Sequence, residues 1–203
     1  MLEGMTRALI VIDVQESFRQ DPQWQAISNP AIADDVARLV DGVRASGDLV
    51  VWVLHAEAGS GDSFDPASGH VRLIEPLAAR PGEPVLTKTS HNAFTTTSLQ
   101  QILTQQGITE VAICGIRTEQ CCETTARVAS DLGYQVMFVT EATATNPIPH
   151  RDAPESQTVA QLLADPRTLA ISAIIERTEY ALAGRFATIA TIADVVGQGA
   201  SVA

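Results

Sequence analysis

The chain alternates apolar, β-branched runs with longer amphipathic segments, and this alternation limits the possible fold more than any other feature. The apolar runs predict strands at 7–12, 49–55, 84–88, 110–116, 134–140 and 186–189. The other segments predict helices at 30–46, 98–106, 154–163, 166–183 and 192–196, and one that begins at Cys121 and Cys122. Alternating strands and helices are typical of a parallel sheet that is covered on both faces. We therefore predict a three-layer α-β-α, Rossmann-like α/β fold with a mostly parallel sheet of five to six strands.

Two segments between the predicted strands differ sharply in character. Segment 30–46 repeats apolar residues at helical spacing, which places five of them on one face: Ile32, Val36, Leu39, Val40 and Val43. Segment 56–82 is rich in Gly, Pro, Asp and Ser, which predicts a long loop with one helical turn near 73–77. Long loops in compact domains often carry function.

Composition excludes several classes of protein. The 203 residues fit one domain spanning 1–203, and a net charge of −11 argues against nucleic-acid or anionic-membrane partners. No run approaches the roughly 18 apolar residues of a membrane span, and residues 1–6 lack the apolar core of a signal peptide. Three cysteines, two of them adjacent, do not form a secreted disulfide framework. We expect a cytoplasmic protein with a small-molecule ligand.

Reactive side chains follow four of the predicted strands. Asp13, His55 and Lys88 stand at or just after the ends of the first three, and Cys121 follows the fourth. Because the carboxyl ends of parallel strands meet at one edge of a sheet, these groups should lie close together. The pattern therefore predicts an acid, a base and a thiol at a single site.

Cys121 is the candidate nucleophile of that site. A helix start favours a thiolate, and a cation such as Lys88 would lower the pKa of the thiol further. Asp13 could accept the thiol proton and later deliver it to a leaving group. Each residue also has an ordinary structural use, Asp13 as a turn residue and Lys88 at the surface. We expect Cys114 and Cys122 to be core residues.

Three sequence motifs resemble the isochorismatase-like cysteine hydrolases, a superfamily that includes nicotinamidases and N-carbamoylsarcosine amidase. The motifs are IVIDVQESF at 10–18, Lys88 followed by AFTTTSL at 93–99, and CGIRTEQCCETTA at 114–126. The resemblance covers residues 6–146 and identifies a superfamily, but no particular substrate.

The resemblance implies a catalytic triad. It makes Cys121 the nucleophile, Asp13 the proton acceptor and donor, and Lys88 the group that polarises both. It also implies a cis peptide at Ile116–Arg117, with the N–H groups of Arg117 and Cys121 forming an oxyanion hole. We therefore expect a hydrolase that cleaves a C–N bond of a small amide, ureide or N-carbamoyl compound through a thioester, in a homo-oligomer.

Two other functions remain open. A vinyl-ether hydrolase of the isochorismatase type would use Asp13 to protonate carbon and would need no thiol. A non-catalytic redox or ligand-binding protein would instead use the adjacent pair Cys121 and Cys122.

Five residues are candidates for contact with the substrate: Phe18, His55, His91, Phe94 and Arg117. The guanidinium of Arg117 either recognises a carboxylate, or it has a structural role in which it faces solvent or pairs with an acid such as Glu119.

Three further side chains are of types that ligate zinc, namely His55, Glu57 and His70. They do not match a family ligand set one for one, so we interpret them as a polar loop wall. We expect no metal and no other cofactor.

Overall fold

A computed structural model describes residues 7–198, and it contains one six-stranded sheet. The prediction about residues 1–6, and both ends of the predicted 1–203 domain, lie outside that range. The strands are β1 Arg7–Ile12, β2 Leu49–His55, β3 Val85–Lys88, β4 Glu110–Ile116, β5 Gln135–Ala144 and β6 Thr188–Ala190. All pairs are parallel, in the order β3-β2-β1-β4-β5-β6. The predicted α/β class and strand count are confirmed.

Helices cover both faces of the sheet. They are α1 Glu16–Arg19, α2 Ile32–Ala45, α3 Leu99–Gln105, α4 Glu123–Asp131, α5 Val159–Ala164, α6 Ile171–Leu182 and α7 Ile192–Gln198. Shorter 3-10 turns occur at Pro22–Ala26 and Pro66–Ser68, and a π-helical turn at Thr118–Cys122 precedes α4. Across residues 7–198, every helix is too short or too polar to cross a bilayer.

The core consists of two apolar layers separated by the sheet. Successive residues of β1 alternate between them: Ile10 and Ile12 pack with α3, α4 and α6, whereas Leu9 and Val11 pack with α2 and α7. The five residues that helical spacing places on one face of α2 are all buried, as predicted. Because β1 is buried on both sides, it reads as a continuous apolar run.

Three predicted helical segments are wrong, each because another contact competes with helix formation. Helix α5 begins after Thr158, whose side chain forms a capping box with Gln161, so 154–158 is not helical. Leu169 forms an antiparallel bridge with Ile148, which keeps the residues before α6 out of the predicted 166–183 helix. The helical turn predicted near 73–77 is wrong, because Leu73 bridges Gln15 and residues 74–77 form a reverse turn, in which the Leu77 N–H donates to the Ile74 carbonyl.

Two strand ends also shift relative to the sequence prediction. Strand β5 continues past 140 because Thr143 and Ala144 still pair with the end of β4. The last strand forms at 188–190 rather than 186–189, where it pairs with β5.

The sheet order places a topological switch point between β1 and β4. Strands β2 and β3 follow β1 on one side, and β4 then begins on the other side. Gly115 of β4 pairs with Ile12 of β1 at a φ of +128°, and a Cβ atom there would stand 1.9 Å from the Ile12 carbonyl oxygen. Ligands of open parallel sheets collect at such a point.

Candidate active site

Asp13, Lys88 and Cys121 meet at this switch point. The Nζ atom of Lys88 lies 2.8 Å from Oδ2 of Asp13 and 3.4 Å from Sγ of Cys121. Asp13 and Lys88 have no exposed surface, and Cys121 is 8% exposed. The structure therefore brings together three side chains that are 33 or more positions apart in sequence, as the strand-end pattern predicts.

The backbone after β1 orients Asp13. Its N–H donates to the carbonyl of Val53 on β2 at 2.8 Å, and its φ of +53° is the one positive value at a non-glycine residue in the range 7–198. Asp tolerates this left-handed conformation better than most residues. The ammonium of Lys88 contacts its Oδ2 atom, and the thiol of Cys121 is a second side-chain hydrogen-bond partner of the carboxylate. The carboxylate therefore lies where it can accept the proton of the thiol.

Burial sets the protonation of the thiol. It raises the pKa of Cys121 to about 12; the charge of Asp13 adds to the rise, and that of Lys88 opposes it. Burial also raises the pKa of the Asp13 carboxyl above its ordinary 3.8, again against the effect of Lys88. Lys88 lowers the pKa of the thiol, as predicted, but burial outweighs this effect, so the expected net lowering of the pKa of Cys121 is wrong.

The turn that carries Cys121 is wider than the α-helix start that the sequence predicts. The Ile116–Arg117 peptide is cis, as the resemblance implies. The carbonyl of Arg117 accepts from the N–H groups of both Gln120 and Cys122. Residues 118–122 thus form one π-helical turn before α4.

Thr125 links this turn to the segment after β3 through two hydrogen bonds. Its buried hydroxyl donates to the Cys121 carbonyl at 2.6 Å and accepts from the Ala93 N–H at 3.1 Å. Thr125 was not among the residues that the sequence motifs marked as functional. The sequence could have indicated Thr125, because its hydroxyl is four residues after the nucleophile and so lies on the same face of a helix.

His55 is linked to the triad through Lys88. Its Nδ1 lies 3.3 Å from Nζ of Lys88, and its Nε2 lies 3.0 Å from Oε1 of Glu57. A neutral imidazole with its proton on Nε2 satisfies both contacts. The side-chain amide of Gln15, also missed in the sequence, bonds both the N–H and the carbonyl of His55. Gln15 therefore ties the end of β2 to the segment after β1.

The zinc-type side chains do not gather around one point. Of the described residues, no three His, Cys, Asp or Glu side chains are grouped so that they could ligate a metal ion. The backbone carbonyl of His70 instead accepts a hydrogen bond from the hydroxyl of Ser17.

Aromatic rings and a cation stand beside the triad. The guanidinium of Arg117 lies 5.8 Å from the ring of Phe18, which packs edge-on against Phe64 at 5.0 Å. Phe64 also contacts the ring of His55 at 5.8 Å. Phe64 belongs to the long loop and was not singled out in the sequence. The sequence could have indicated Phe64, because it is an isolated aromatic residue in a polar segment.

Phe94 and His91 occupy different surroundings. Phe94 is buried and stacks on Tyr134, which precedes β5 at the opposite edge of the sheet, so its ring packs within the core. His91 is exposed, and its side chain forms no hydrogen bond or ring contact with a described residue. Phe94 shares its apolar layer with Cys121, and the substrate contacts expected of Phe94 and His91 stay predictions.

The other two cysteines are fully buried. Cys122 packs in the same apolar layer as Ala126 of α4, and Cys114 packs in the opposite layer, as predicted. All three cysteines are free thiols.

The chain is similar to several known proteins in sequence and in fold. A streptothricin hydrolase of Streptomyces noursei is 37% identical over 148 residues, which cover 70% of this chain and 56% of that protein. Nicotinamidase 3 of Arabidopsis thaliana is 31% identical over 151 residues, covering 68% of this chain and 73% of that one. A solved isochorismatase-family structure from Chromobacterium violaceum has a TM-score of 0.84 at 21% identity, covering 100% of this chain and 97% of the other, and it shows the shared fold.

The family assignment rests on the greater part of the sequence. A family model for the isochorismatase domain matches residues 7–170, a range that contains all three motifs and the whole cluster around Lys88. The chain therefore belongs to the isochorismatase family of hydrolases.

Proposed function

We propose that the protein is a cysteine hydrolase that cleaves a C–N bond of a small amide, ureide or N-carbamoyl compound. One observation carries the proposal: a single buried ammonium, on Lys88, contacts both a carboxylate and a thiol. Such an arrangement is suited to moving a proton between the two groups while charge develops on substrate. The streptothricin hydrolase and the nicotinamidase among the relatives support hydrolysis at this site.

Acylation begins with the thiol of Cys121. Its sulfur attacks the substrate carbonyl carbon as its proton passes to the carboxylate of Asp13, which gives a tetrahedral oxyanion. Asp13 then transfers that proton to the leaving nitrogen, and the C–N bond breaks. Ammonia or an amine departs, and a thioester to Cys121 remains.

Deacylation repeats the sequence with water. Asp13 accepts a proton from water as the oxygen attacks the thioester carbon, and it returns the proton to sulfur when the C–S bond breaks. The net reaction consumes one water and yields a carboxylic acid, or a carbamic acid from a ureide, together with the amine. The raised pKa of Asp13 favours a group that takes up and releases a proton in each half-reaction.

The oxyanion would lie against the backbone of the nucleophile turn. The N–H groups of Arg117 and Cys121 belong to the same short segment, and the Arg117 carbonyl is already bonded within the turn. Preorganised N–H donors of this kind are worth roughly 3 kcal/mol each to the transition state.

A vinyl-ether hydrolase is the second candidate, favoured by the family model itself. That reaction needs an acid at Asp13 but no nucleophilic thiol. The contact between Lys88 and the sulfur of Cys121 favours the amide reaction instead. A redox role for Cys121 and Cys122 is the third candidate, and the complete burial of Cys122 argues against it.

The deciding experiment is an ammonia- or amine-release screen over primary amides, ureides and N-carbamoyl compounds. We expect turnover in the wild type and in Cys122→Ala, and none in Cys121→Ala. A mass increase at Cys121 on rapid quenching would identify the thioester. Full activity in Cys121→Ala with a vinyl-ether substrate would instead establish the second candidate. A cytoplasmic location and a homo-oligomer stay part of the proposal.

A further inference from the structure

Arg117 presents a cation with no acidic partner beside the triad. Within residues 7–198, its guanidinium forms no ion pair and no hydrogen bond, and it lies over the ring of Phe18, 5.8 Å from the ring centroid. Resting on the proposed function, we infer that the substrate carries a carboxylate and that Arg117 binds it. The substrate class is then a small amide or N-carbamoyl compound with an acidic group a few bonds from the scissile carbonyl.

The nearest acid in sequence is turned away from Arg117. Oε2 of Glu119 accepts a hydrogen bond from the hydroxyl of Thr145 beyond β5. Its Oε1 is buried and accepts no hydrogen bond from the described residues. The two opposite charges therefore do not pair, although they are two residues apart. This removes the pairing of Arg117 with Glu119 that the sequence left open.

The surroundings of Arg117 place it on the wall of the site. Phe18 follows β1, His55 ends β2 and Arg117 follows β4, so the three come from the ends of three adjacent strands. Phe64 contacts both Phe18 and His55, and His55 contacts Lys88. The chain of contacts from Arg117 to the triad is thus continuous.

The chemistry of this wall suits a carboxylate. Arg117 is half-buried, which reduces competition from water, and its guanidinium lies over the ring of Phe18, a contact that uses none of its N–H donors in a hydrogen bond. A planar fork of N–H donors binds a carboxylate through two parallel hydrogen bonds. The net charge of the whole protein is negative, so a local cation is needed to retain an anionic ligand.

The first test compares matched substrates that differ only in the acidic group. The pairs are succinamate with butyramide, and N-carbamoylglycine with N-ethylurea. We expect the wild-type kcat/KM to be at least about tenfold higher for the acidic member of each pair. Arg117→Gln should lower kcat/KM by about 10- to 100-fold for the acidic member and leave it unchanged for the neutral one. Arg117→Lys should restore part of the loss.

Arg185 supplies a matched control. It is an exposed arginine over the ring of Phe186, also at 5.8 Å, near the start of β6 at the opposite edge of the sheet. Arg185→Gln removes the same charge and the same kind of ring contact. It should leave the substrate preference unchanged.

The second test does not depend on turnover. Iodoacetate and iodoacetamide alkylate the same thiol, and the first has a carboxylate where the second has a neutral carboxamide. The ratio of the iodoacetate rate to the iodoacetamide rate at Cys121 therefore reports anion binding. We expect the ratio to fall at least about tenfold in Arg117→Gln and to stay unchanged in Arg185→Gln. Absence of turnover with an Arg117-dependent ratio would reject the proposed function and keep the anion site. The inference would be overturned if the wild type turned over both members of a substrate pair and Arg117→Gln changed the alkylation-rate ratio by less than about threefold.

Discussion

The ammonium of Lys88 lies 2.8 Å from Oδ2 of Asp13, and both side chains are completely excluded from solvent. Removing water from two charges costs several kcal/mol per ion, so such a pair adds little net stability. Each partner nevertheless depends on the other, because either charge alone would be buried without compensation. The pair is therefore better explained by the chemistry at Cys121 than by the stability of the fold.

The first prediction separates the contribution of the Asp13–Lys88 pair to stability from its contribution to catalysis. Asp13→Asn and Lys88→Met should each lower the free energy of unfolding by roughly 3–5 kcal/mol, because each leaves an unpaired buried charge. The double variant should be more stable than the less stable of the two single variants. Urea denaturation followed by circular dichroism measures all four proteins. Losses that simply add in the double variant would contradict the pairing.

Activity should follow a different pattern in the same four proteins. Amide turnover should be abolished in both single variants and in the double variant, although the double variant recovers stability. Recovery of stability without recovery of turnover would mark the pair as catalytic.

The second prediction concerns the acid side of the pH profile. Burial, opposed by the charge of Lys88, raises the pKa of Asp13 above 3.8. A proton acceptor works only when ionised, so kcat/KM should fall as the pH drops through this raised pKa. The limb should therefore lie above pH 3.8. Stopped assays over roughly pH 4–9, with circular dichroism to confirm folding at each pH, measure it. A profile that is flat down to about pH 4 would contradict the assignment.

The third prediction concerns the thiol itself. Because the pKa of Cys121 is raised to about 12, the thiolate fraction should rise about tenfold per pH unit between about pH 7 and 10. The rate of iodoacetamide alkylation at Cys121 should rise in parallel, as followed by intact-mass spectrometry in a Cys122→Ala background. A plateau below about pH 9 would show that the resting site already contains a thiolate.

Local periodicity explains why the layers and the strand ends could be predicted. Strand β1 is buried on both faces, so its sequence is continuously apolar, and Asp13 is conspicuous at its end. Parallel topology then brings Asp13 near Lys88 without knowledge of the loops. Helix α2 could be predicted for the same reason, because its apolar residues recur at helical spacing and lie on one face.

Contacts between distant segments explain what could not be predicted. The path of the long loop depends on pairing of Leu73 with Gln15, which no local pattern encodes, so the position of Phe64 was missed. The raised pKa of Cys121 depends on burial by several elements at once, which outweighs the nearby cation. Helix propensity alone likewise did not reveal that Leu169 pairs with Ile148.

The fourth prediction tests the close approach of β4 to β1. Gly115→Ala would place a Cβ atom 1.9 Å from the Ile12 carbonyl oxygen, at a φ of +128°. We expect a loss of at least about 3 kcal/mol in the free energy of unfolding, or no soluble protein. Gly107→Ala is the matched control, because Gly107 also has a positive φ but has open space around its Cβ position. It should cost only about 1–2 kcal/mol. Equal losses in urea denaturation would mean that backbone conformation, not the contact, sets the requirement.

The fifth prediction makes Thr125 a positioning residue for the nucleophile. Thr125→Val keeps the shape but removes both hydrogen bonds, to the Cys121 carbonyl and from the Ala93 N–H. We expect kcat to fall about tenfold with little change in KM, because a displaced nucleophile reduces reaction more than binding. Stability should fall by about 2–3 kcal/mol as two buried backbone groups lose their partner. Thr125→Ser should restore both.

The adjacent threonine provides the control for that experiment. Thr124 is half-buried, and its hydroxyl forms no hydrogen bond with the described residues. Thr124→Val should therefore change neither kcat nor KM. The rate of alkylation of Cys121 by iodoacetamide separates the two explanations. General destabilisation exposes the thiol, so it would raise this rate and could not lower it. A raised KM with unchanged kcat in Thr125→Val would assign the residue to substrate binding and contradict its role in positioning Cys121.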